Sequence, residues 1–397
     1  MATVTETAPA EVEALLRLLD LGRMTADLNR LCDVEFAGRR VSSLGHDLAQ
    51  AWLAMRMQLL GLTVEIVPFT LATQVLDVYD TPLFEFTDEQ RRLRYRIDYA
   101  EHPRSSDLPQ PTENLPWAIL DSVPRGEQLD NLAASYRRGG VAGLLVPQFR
   151  TQSGFLSKRI VARPPIELPL IAVAPDLLPE LQRKRLRIKL PLRRLTAVGG
   201  HVVGTISGSD PQLTQQPILV GGHYDALGDD TGGLRLPGAA DNAAAVAVVL
   251  ELARVLSSAT PPRRPISFAA FDAEEVDALG THTYARALAK AGVRPLVINL
   301  DMAAQLHKAV LVEPGASPTR TLAALDQAGE WLGQPLVLGD VSSDNRRFAQ
   351  VGLQTVGIGL GGNDIHTPAD TPENVNPPAM LAAARLLLTT VWQLARQ

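Results

Sequence analysis

The residues best suited to chemistry collect at five places in the second half of the chain. Most of these places directly follow a predicted β-strand, such as the apolar runs ILVGG and ISFAAF. They are His223-Tyr224-Asp225, Asp241-Asn242, Asp272-Ala273-Glu274-Glu275, Asp301 and the loop 366–371 that begins with His366. Because ligands of open α/β sheets gather at the carboxyl ends of strands, we expect these five places to face one cleft.

Together the five places offer the donor atoms of a metal site. Two imidazoles and three carboxylates on separate loops suit a borderline divalent metal such as zinc. Two cations about 3.5–4 Å apart need a bridging anion, and one aspartate carboxylate can supply it. A second glutamate beside a ligand glutamate is free to act as a general base toward water. Asp225, two residues after His223, can accept the other N–H of that imidazole and so fix its tautomer.

Each motif has a commoner structural explanation when it is taken alone. An aspartate before an asparagine at a helix start is more often an N-cap than a ligand. Adjacent glutamates usually lie on a solvated surface, and a lone histidine is usually structural. The metal hypothesis therefore depends on the complete set. The remaining histidines are expected to be structural, and they are His46, His102, His201, His282 and His307.

Alternating strands and helices are predicted to position these residues. The apolar strands are predicted at 218–220, 266–271, 296–300, 310–312 and 355–358, and the helices at 241–258, 280–291, 318–332, 344–351 and 377–395. This alternation predicts an α/β fold, a mostly parallel mixed sheet sandwiched by helices. Residues 11–60 are also predicted to be helical, and a short strand is predicted to follow at 64–67.

The pattern changes between residues 69 and 205. Alternating β-type segments, a hairpin turn near Asp88 and a proline-rich stretch at 103–116 come before a helix predicted at 127–138 and a strand at 141–146. A basic segment at 183–194 alternates leucine and isoleucine with arginine and lysine. That alternation favours a half-exposed strand whose charges protect a sheet edge over a nucleic-acid patch.

Composition excludes several classes of protein. A chain of 397 residues predicts two or three structural units. Cys32 is the only cysteine, which excludes an intramolecular disulfide and cysteine-based zinc sites. A net charge of −5 argues against nucleic acid as a partner. The most apolar stretches are interrupted by charges and the first residues lack the pattern of a signal peptide, so no membrane is expected and the localisation is predicted to be cytoplasmic.

Longer strings carry a resemblance to a known family. They are GGHYD at 221–225, PGAADNAAAVAVVLELAR at 237–254, FDAEEVDALGTHTYA at 271–285, INLDM at 298–302 and HTPADTPENV at 366–375. These strings resemble the co-catalytic zinc aminopeptidases, relatives of aminopeptidase Y, bacterial leucyl aminopeptidase, glutamate carboxypeptidase and glutaminyl cyclase. The resemblance covers about 217–395 and the N-terminal element at 38–62, with all five ligand positions filled in the family's order.

The resemblance implies a role for each position. Asp241 would bridge two Zn²⁺ ions, or other divalent metals. His366 and Glu275 would complete one site, and His223 and Asp301 the other. Glu274 would be the general base, with Asp225 the partner of His223.

The resemblance also implies a division of the chain. Residues 1–68 would be the helical start of the peptidase domain, 69–205 an inserted β-rich protease-associated-like domain, and 206–397 the zinc peptidase domain. The insertion is identified chiefly from RRGGVAGLLVP and LPLIAVAPDLLPEL.

Two departures from the family pattern concern the substrate. Asn345 stands in Ser343-Asp344-Asn345 where many members have histidine, so a substrate-binding role is expected for Asn345. No tyrosine is assigned as the donor that would stabilise the oxyanion.

The expected function is a metal-dependent aminopeptidase that hydrolyses the N-terminal bond of peptides, using a water that bridges two zinc ions and a glutamate base. One alternative is a glutaminyl-cyclase-like zinc acyltransferase, for which an inserted domain is not expected. A non-catalytic binding protein on the same fold is the other, and it is disfavoured because no ligand position is lost.

Overall fold

A computed structural model describes residues 9–397 of the chain. The first eight residues, on which part of the signal-peptide prediction rests, lie outside the described residues. The helices are α1 (Ala10–Leu16), α2 (Leu21–Leu31), α3 (Leu44–Leu59), α4 (Glu127–Arg138), α5 (Leu178–Leu181), α6 (Ala244–Ser257), α7 (Leu279–Lys290), α8 (Thr319–Leu332), α9 (Asn345–Gln350) and α10 (Pro377–Arg396).

The strands form one large and two small sheets. In chain order they are β1 (Thr63–Val78), β2 (Leu83–Phe86), β3 (Arg91–Arg92), β4 (Tyr99–Glu101), β5 (Leu108–Glu113), β6 (Trp117–Ile119), β7 (Gly143–Pro147), β8 (Leu170–Val173), β9 (Leu186–Leu190), β10 (Leu192–Ile206), β11 (Ile218–His223), β12 (Ile266–Phe271), β13 (Leu296–Leu300), β14 (Val310–Pro314), β15 (Leu336–Leu338) and β16 (Gln354–Gly359).

The large sheet has the order β1-β10-β12-β11-β13-β16-β14-β15. Its centre is parallel, because β11 pairs in parallel with both β12 and β13, and β13 with β16. Strands β1 and β10 and the pair β14–β16 are antiparallel. The predicted mixed α/β fold is confirmed.

Helices cover both faces of this sheet because its central strands are apolar on both sides. Phe268 of β12 belongs to a buried cluster that includes residues of α2, α3, α6, α8 and α10. Phe271, three residues later, belongs to a cluster on the opposite face that includes residues of α7 and α9. Side chains alternate between faces along a strand, so an all-apolar run is buried twice. Helix α10 is long and apolar enough to cross a membrane by composition, but 72% of its most apolar window is buried inside the protein.

The two small sheets lie between β1 and β10, within residues 83–190. Their orders are β3-β2-β9-β5 and β4-β8-β7-β6. The chain leaves and re-enters the large sheet through the paired strands β1 and β10, whose register runs from Thr63 opposite Thr205 to Val78 opposite Leu192. The predicted borders at 69 and 205 fall inside these two strands, and the division into a protease-associated-like unit stays a prediction.

The prediction that the basic segment at 183–194 protects a sheet edge was wrong. Strand β9 lies inside its sheet, paired with β2 on one side and β5 on the other. Its outward side chains meet carboxylates on neighbouring segments, and Arg187 lies 3.2 Å from Glu85 and 3.1 Å from Glu113. Alternation in the sequence correctly indicates a half-exposed strand, but it carries no information about which strands flank it.

Candidate metal centre

The five predicted ligands meet at the carboxyl edge of the large sheet. His223 ends β11, Asp301 directly follows β13, and Glu275 lies in the loop after β12. Asp241 comes from the turn before α6, and His366 from the loop between β16 and α10. Since β11, β12 and β13 are adjacent and parallel, their carboxyl ends open onto the same cleft.

The distances divide the ligands into two groups that share Asp241. Nε2 of His223 lies 3.1 Å from one Asp241 oxygen and 3.6 Å from Asp301 Oδ1. Nε2 of His366 lies 2.9 Å from the other Asp241 oxygen and 3.3 Å from Glu275 Oε2. Each group has its three donor atoms within 4.8 Å of one another, a spacing that one metal ion could span.

The donor atoms fit metal ions better than they fit one another. Among residues 9–397, His223 Nε2, Glu275 Oε1 and Asp301 Oδ1 are buried without a hydrogen bond of good geometry. Unpaired buried polar atoms are costly and usually have a partner. Imidazoles and carboxylates are common zinc ligands, so this donor set fits zinc, and Asp241 belongs to both groups.

The pKa values reflect the crowding of acidic groups. Burial raises the pKa of Glu275 to about 8, with the Asp241 charge adding to the effect. Burial also raises the pKa of Glu274 well above its usual value, and the charges of Asp301 and Asp344 act in the same direction. Burial alone would lower the pKa of His366, but Glu275 and Asp241 raise it to about 9. Bound cations would favour the ionised carboxylates and neutral imidazoles instead.

Asp225 holds the two glutamates by their backbone. Its carboxylate accepts the N–H of Glu274 at 3.1 Å and the N–H of Glu275 at 3.2 Å. The Asp225 carbonyl lies 3.1 Å from Nδ1 of His223, closer than the carboxylate at 3.6 Å. Asp225 therefore contacts the loops of both predicted metal sites.

Three residues that the sequence reasoning left unassigned position the turn that carries Asp241. Asp370 accepts the N–H of Ala240 at 2.6 Å and that of Asp241 at 3.2 Å. The buried guanidinium of Arg39 donates to the carbonyls of Pro237 and Gly238 just before the same turn, and also to those of Leu31 and Tyr224. Asn242 donates to the Leu300 carbonyl and accepts the Met302 N–H, which ties the turn to Asp301. Asp370 and Asn242 had a signal in the sequence, since each lies in one of the five places, whereas Arg39 lies in none of them.

The turn itself depends on Gly238. Its φ of +60° is left-handed, and a Cβ there would lie 2.7 Å from the Asp241 carbonyl oxygen. Glycine tolerates this conformation and this close approach, and other residues do not. The conformation of the turn therefore requires a glycine at position 238, shortly before Asp241.

A cavity of about 560 Å³ opens over the site and is lined by all of the predicted ligands except His223, together with Glu274. Ser342, Ser343 and Arg346 form part of its wall. Asn345 is buried behind that wall, where its Oδ1 accepts the Ser343 N–H at 3.3 Å. The buried Tyr224 hydroxyl binds Asp272 and His46 and does not face the cleft.

Comparisons with known proteins show what the chain resembles in sequence and in fold. Residues 201–391 match the model described as Peptidase family M28. A probable zinc metalloprotease of Pyrenophora teres f. teres is 41% identical over 105 residues, 25% of this chain and 22% of that protein. Aminopeptidase YwaD of Bacillus subtilis is 28% identical over 199 residues, 45% of this chain and 41% of that protein. The aligned segments thus span well under half of these curated relatives.

The fold matches a solved structure over almost the whole chain. The zinc aminopeptidase BSAP of Bacillus subtilis superposes with a TM-score of 0.74 at 18% identity, covering 95% of this chain and 96% of that one. The predicted resemblance to the zinc aminopeptidases is confirmed. Residues 201–391 carry the sequence pattern of peptidase family M28.

Proposed function

We propose that this protein is a zinc-dependent aminopeptidase that removes N-terminal residues from peptides. The observation that carries the proposal is the pair of three-residue groups sharing Asp241, with Glu274 beside them in an open cavity. His223, Asp241 and Asp301 would hold one zinc ion, and Asp241, Glu275 and His366 the other. When bound, such ions would polarise the scissile carbonyl and acidify the attacking water.

The chain's own contribution to the reaction centres on Glu274. It lies in the cavity, and its backbone is held by Asp225, so its carboxylate is free to take a proton from water. Glu274 then passes that proton to the amine that leaves. Burial raises the pKa of Glu274, and bound cations would oppose this shift and favour the ionised carboxylate that can accept a proton.

The test is a scan of aminoacyl reporter substrates with the purified protein. Hydrolysis is expected for at least one N-terminal residue, to stop after chelation and to return with zinc. Glu274→Gln should show the same metal content with little hydrolysis. Turnover that persists after removal of all metal would contradict the proposal.

A second arm of the scan addresses acyl transfer. Peptides with N-terminal glutamine are incubated with the zinc-loaded protein, and the products are weighed by mass spectrometry. The aminopeptidase proposal predicts shortened peptides. Conversion of the intact peptide to its pyroglutamyl form, without shortening, would replace it with the cyclase alternative.

A further inference from the structure

A second, larger cavity lies where the inserted segment meets the metal-site loops. It measures about 1080 Å³, within reach of the sizes that hold small ligands and short peptides. Its walls come mostly from residues 101–163, and Asp277, Leu279 and Arg347 close it on the side of the large sheet. Asp277 and Arg347 also line the metal cavity, so the two cavities share a wall.

Arginine dominates this second cavity. The lining includes five arginines, and we call this space the arginine cavity. The five are Arg104, Arg125, Arg159, Arg163 and Arg347. Arg104 is already paired with Asp130. Within residues 9–397 none of the other four forms an ion pair with a carboxylate. Arg347 donates to the Asp277 carbonyl and to Gln350, so within the described residues the guanidinium groups without a hydrogen-bond partner are those of Arg125, Arg159 and Arg163.

Within residues 9–397, neither acidic residue of the lining forms an ion pair with these five arginines. Glu101 is buried and paired with Arg96 at 2.6 Å. Asp277 accepts the N–H of Ala162 at 3.0 Å. The positive field reaches neighbouring groups, since burial first and then the charges of Arg104 and Arg159 lower the pKa of His102 to about 4.

The loop that carries Arg159 and Arg163 is hydrogen-bonded to the loop that carries His366. The N–H of Lys158 donates to the His366 carbonyl at 2.9 Å, and its ammonium group binds Asp230 at 2.8 Å. Ser153 donates its N–H to Asp364, two residues before His366. Arg159 follows Lys158 directly and lines the arginine cavity. The segment that carries this guanidinium is therefore hydrogen-bonded to the loop of His366.

We propose that the arginine cavity is an anion subsite that binds a carboxylate of the peptide being cleaved, and so selects peptides that carry a carboxylate near the scissile bond. This inference rests on the proposed aminopeptidase function. A guanidinium binds a carboxylate through two parallel hydrogen bonds, which gives both attraction and a preferred geometry. The carboxylate could be the C-terminus of a short peptide or the side chain of an acidic residue.

Four tripeptides separate these two sources. All begin with the residue that the reporter scan ranks first. One has a free C-terminus, one is its C-terminal amide, and two further amides carry glutamate or glutamine at position two. In at least one of the two pairs, free acid against amide or glutamate against glutamine, we expect kcat/KM to be about 10- to 100-fold higher for the peptide with the carboxylate. This is the difference that a charge-assisted hydrogen bond would give. Equal rates in both comparisons would overturn the inference.

The variants assign the preference to particular residues. The double variant Arg159→Gln with Arg163→Gln should retain its zinc and its rate on the neutral amides while losing most of the preference. Arg125→Gln, made separately, should reduce the preference in part. The matched control is Arg138→Gln, an exposed arginine of the same inserted segment outside the cavity, and it should behave like the wild type. A preference that survives the double variant would overturn the inference.

A binding measurement keeps this inference separate from the peptidase proposal. Calorimetric titration of zinc-loaded Glu274→Gln with the free-acid peptide and its amide measures affinity without turnover. We expect the acid to bind more tightly, less so at about 0.5 M salt, because salt screens exposed charges. If the wild type cleaves nothing, the peptidase proposal fails, and the same titration of the wild type still decides the subsite. Equal affinity for acid and amide would then contradict it.

Discussion

Charged side chains on the floor of the metal cleft differ in burial and pairing from those on the wall formed by the inserted segment. On the floor, the charged side chains are mostly buried and their loops are fixed by hydrogen bonds, such as those from Asp225 and Asp370. On the wall, Arg159 and Arg163 are exposed, and no carboxylate within residues 9–397 forms an ion pair with them. Buried charges must be compensated by partners, whereas exposed charges stay hydrated until a ligand arrives. The proposed metal ligands thus lie among buried charges, and the proposed anion subsite among exposed ones.

The largest effect on metal content and turnover is expected for Asp241→Ala. Because Asp241 lies in both ligand groups, its loss should remove both metals and reduce turnover to background. His223→Ala should weaken mainly one site, and His366→Ala mainly the other. Elemental analysis of the three purified variants measures this. Full zinc content in Asp241→Ala would exclude the bridging role.

The next largest effect is expected for Glu274→Gln, which is nearly isosteric and cannot accept the proton. It should fold, keep its metals and bind peptide. Its turnover should fall by roughly 10²–10⁴, the usual contribution of a positioned general base. The matched variant Glu275→Gln should instead lose metal first and activity as a consequence. A near-normal rate in Glu274→Gln with full metal content would remove Glu274 from the mechanism.

Two arginines of the inserted segment, one in buried and one in exposed ion pairs, should differ in how much they contribute to the stability of the fold. Arg96 is fully buried and lies 2.6 Å from both Glu101 and Asp230. Arg96→Met leaves these carboxylates short of a partner and should lower the free energy of unfolding by about 3–5 kcal/mol. Arg137→Met, which breaks only the exposed pair with Glu167, should cost about 0–1 kcal/mol. Urea unfolding measures both, and equal losses would contradict the contrast.

The smallest effect concerns His46, which binds the buried Asp272 at 2.9 Å. Burial alone would lower the pKa of His46, but Asp272 raises it from 6.5 to about 9. A raised pKa stabilises the fold fully below pH 6.5, and this contribution disappears as the pH rises through 9. The stability lost in His46→Gln should therefore be roughly 1–3 kcal/mol greater at pH 6 than at pH 9.5. An equal loss at both pH values would be evidence against the ion pair.

The large sheet is readable from the sequence because its strands are short, apolar and bounded by polar loops. ISFAAF and LVINL are predicted with the ends that the structure shows, and Glu275 and Asp301 of the candidate site follow them. Strand β15 escapes prediction since Leu336–Leu338 is short and partly exposed, with no buried pattern to mark it. The local pattern of apolar residues in the sequence indicates which segments are buried, and the central strands of the large sheet are all buried.

The positioning residues could not be found in the same way. Arg39 acts through carbonyls about two hundred residues away, and nothing in its neighbourhood in the sequence indicates those partners. Arg159 and Arg163 lie in irregular chain, where no periodicity predicts which surface they face. Such roles depend on contacts that exist only after folding, so they require the structure.

The most direct test of the central claim is a zinc titration of metal-depleted protein, followed by both calorimetry and hydrolysis of the best reporter substrate. The two groups that share Asp241 predict saturation at two zinc ions per chain, with full activity reached only when both are bound. Saturation and full activity at one zinc ion per chain would contradict the account.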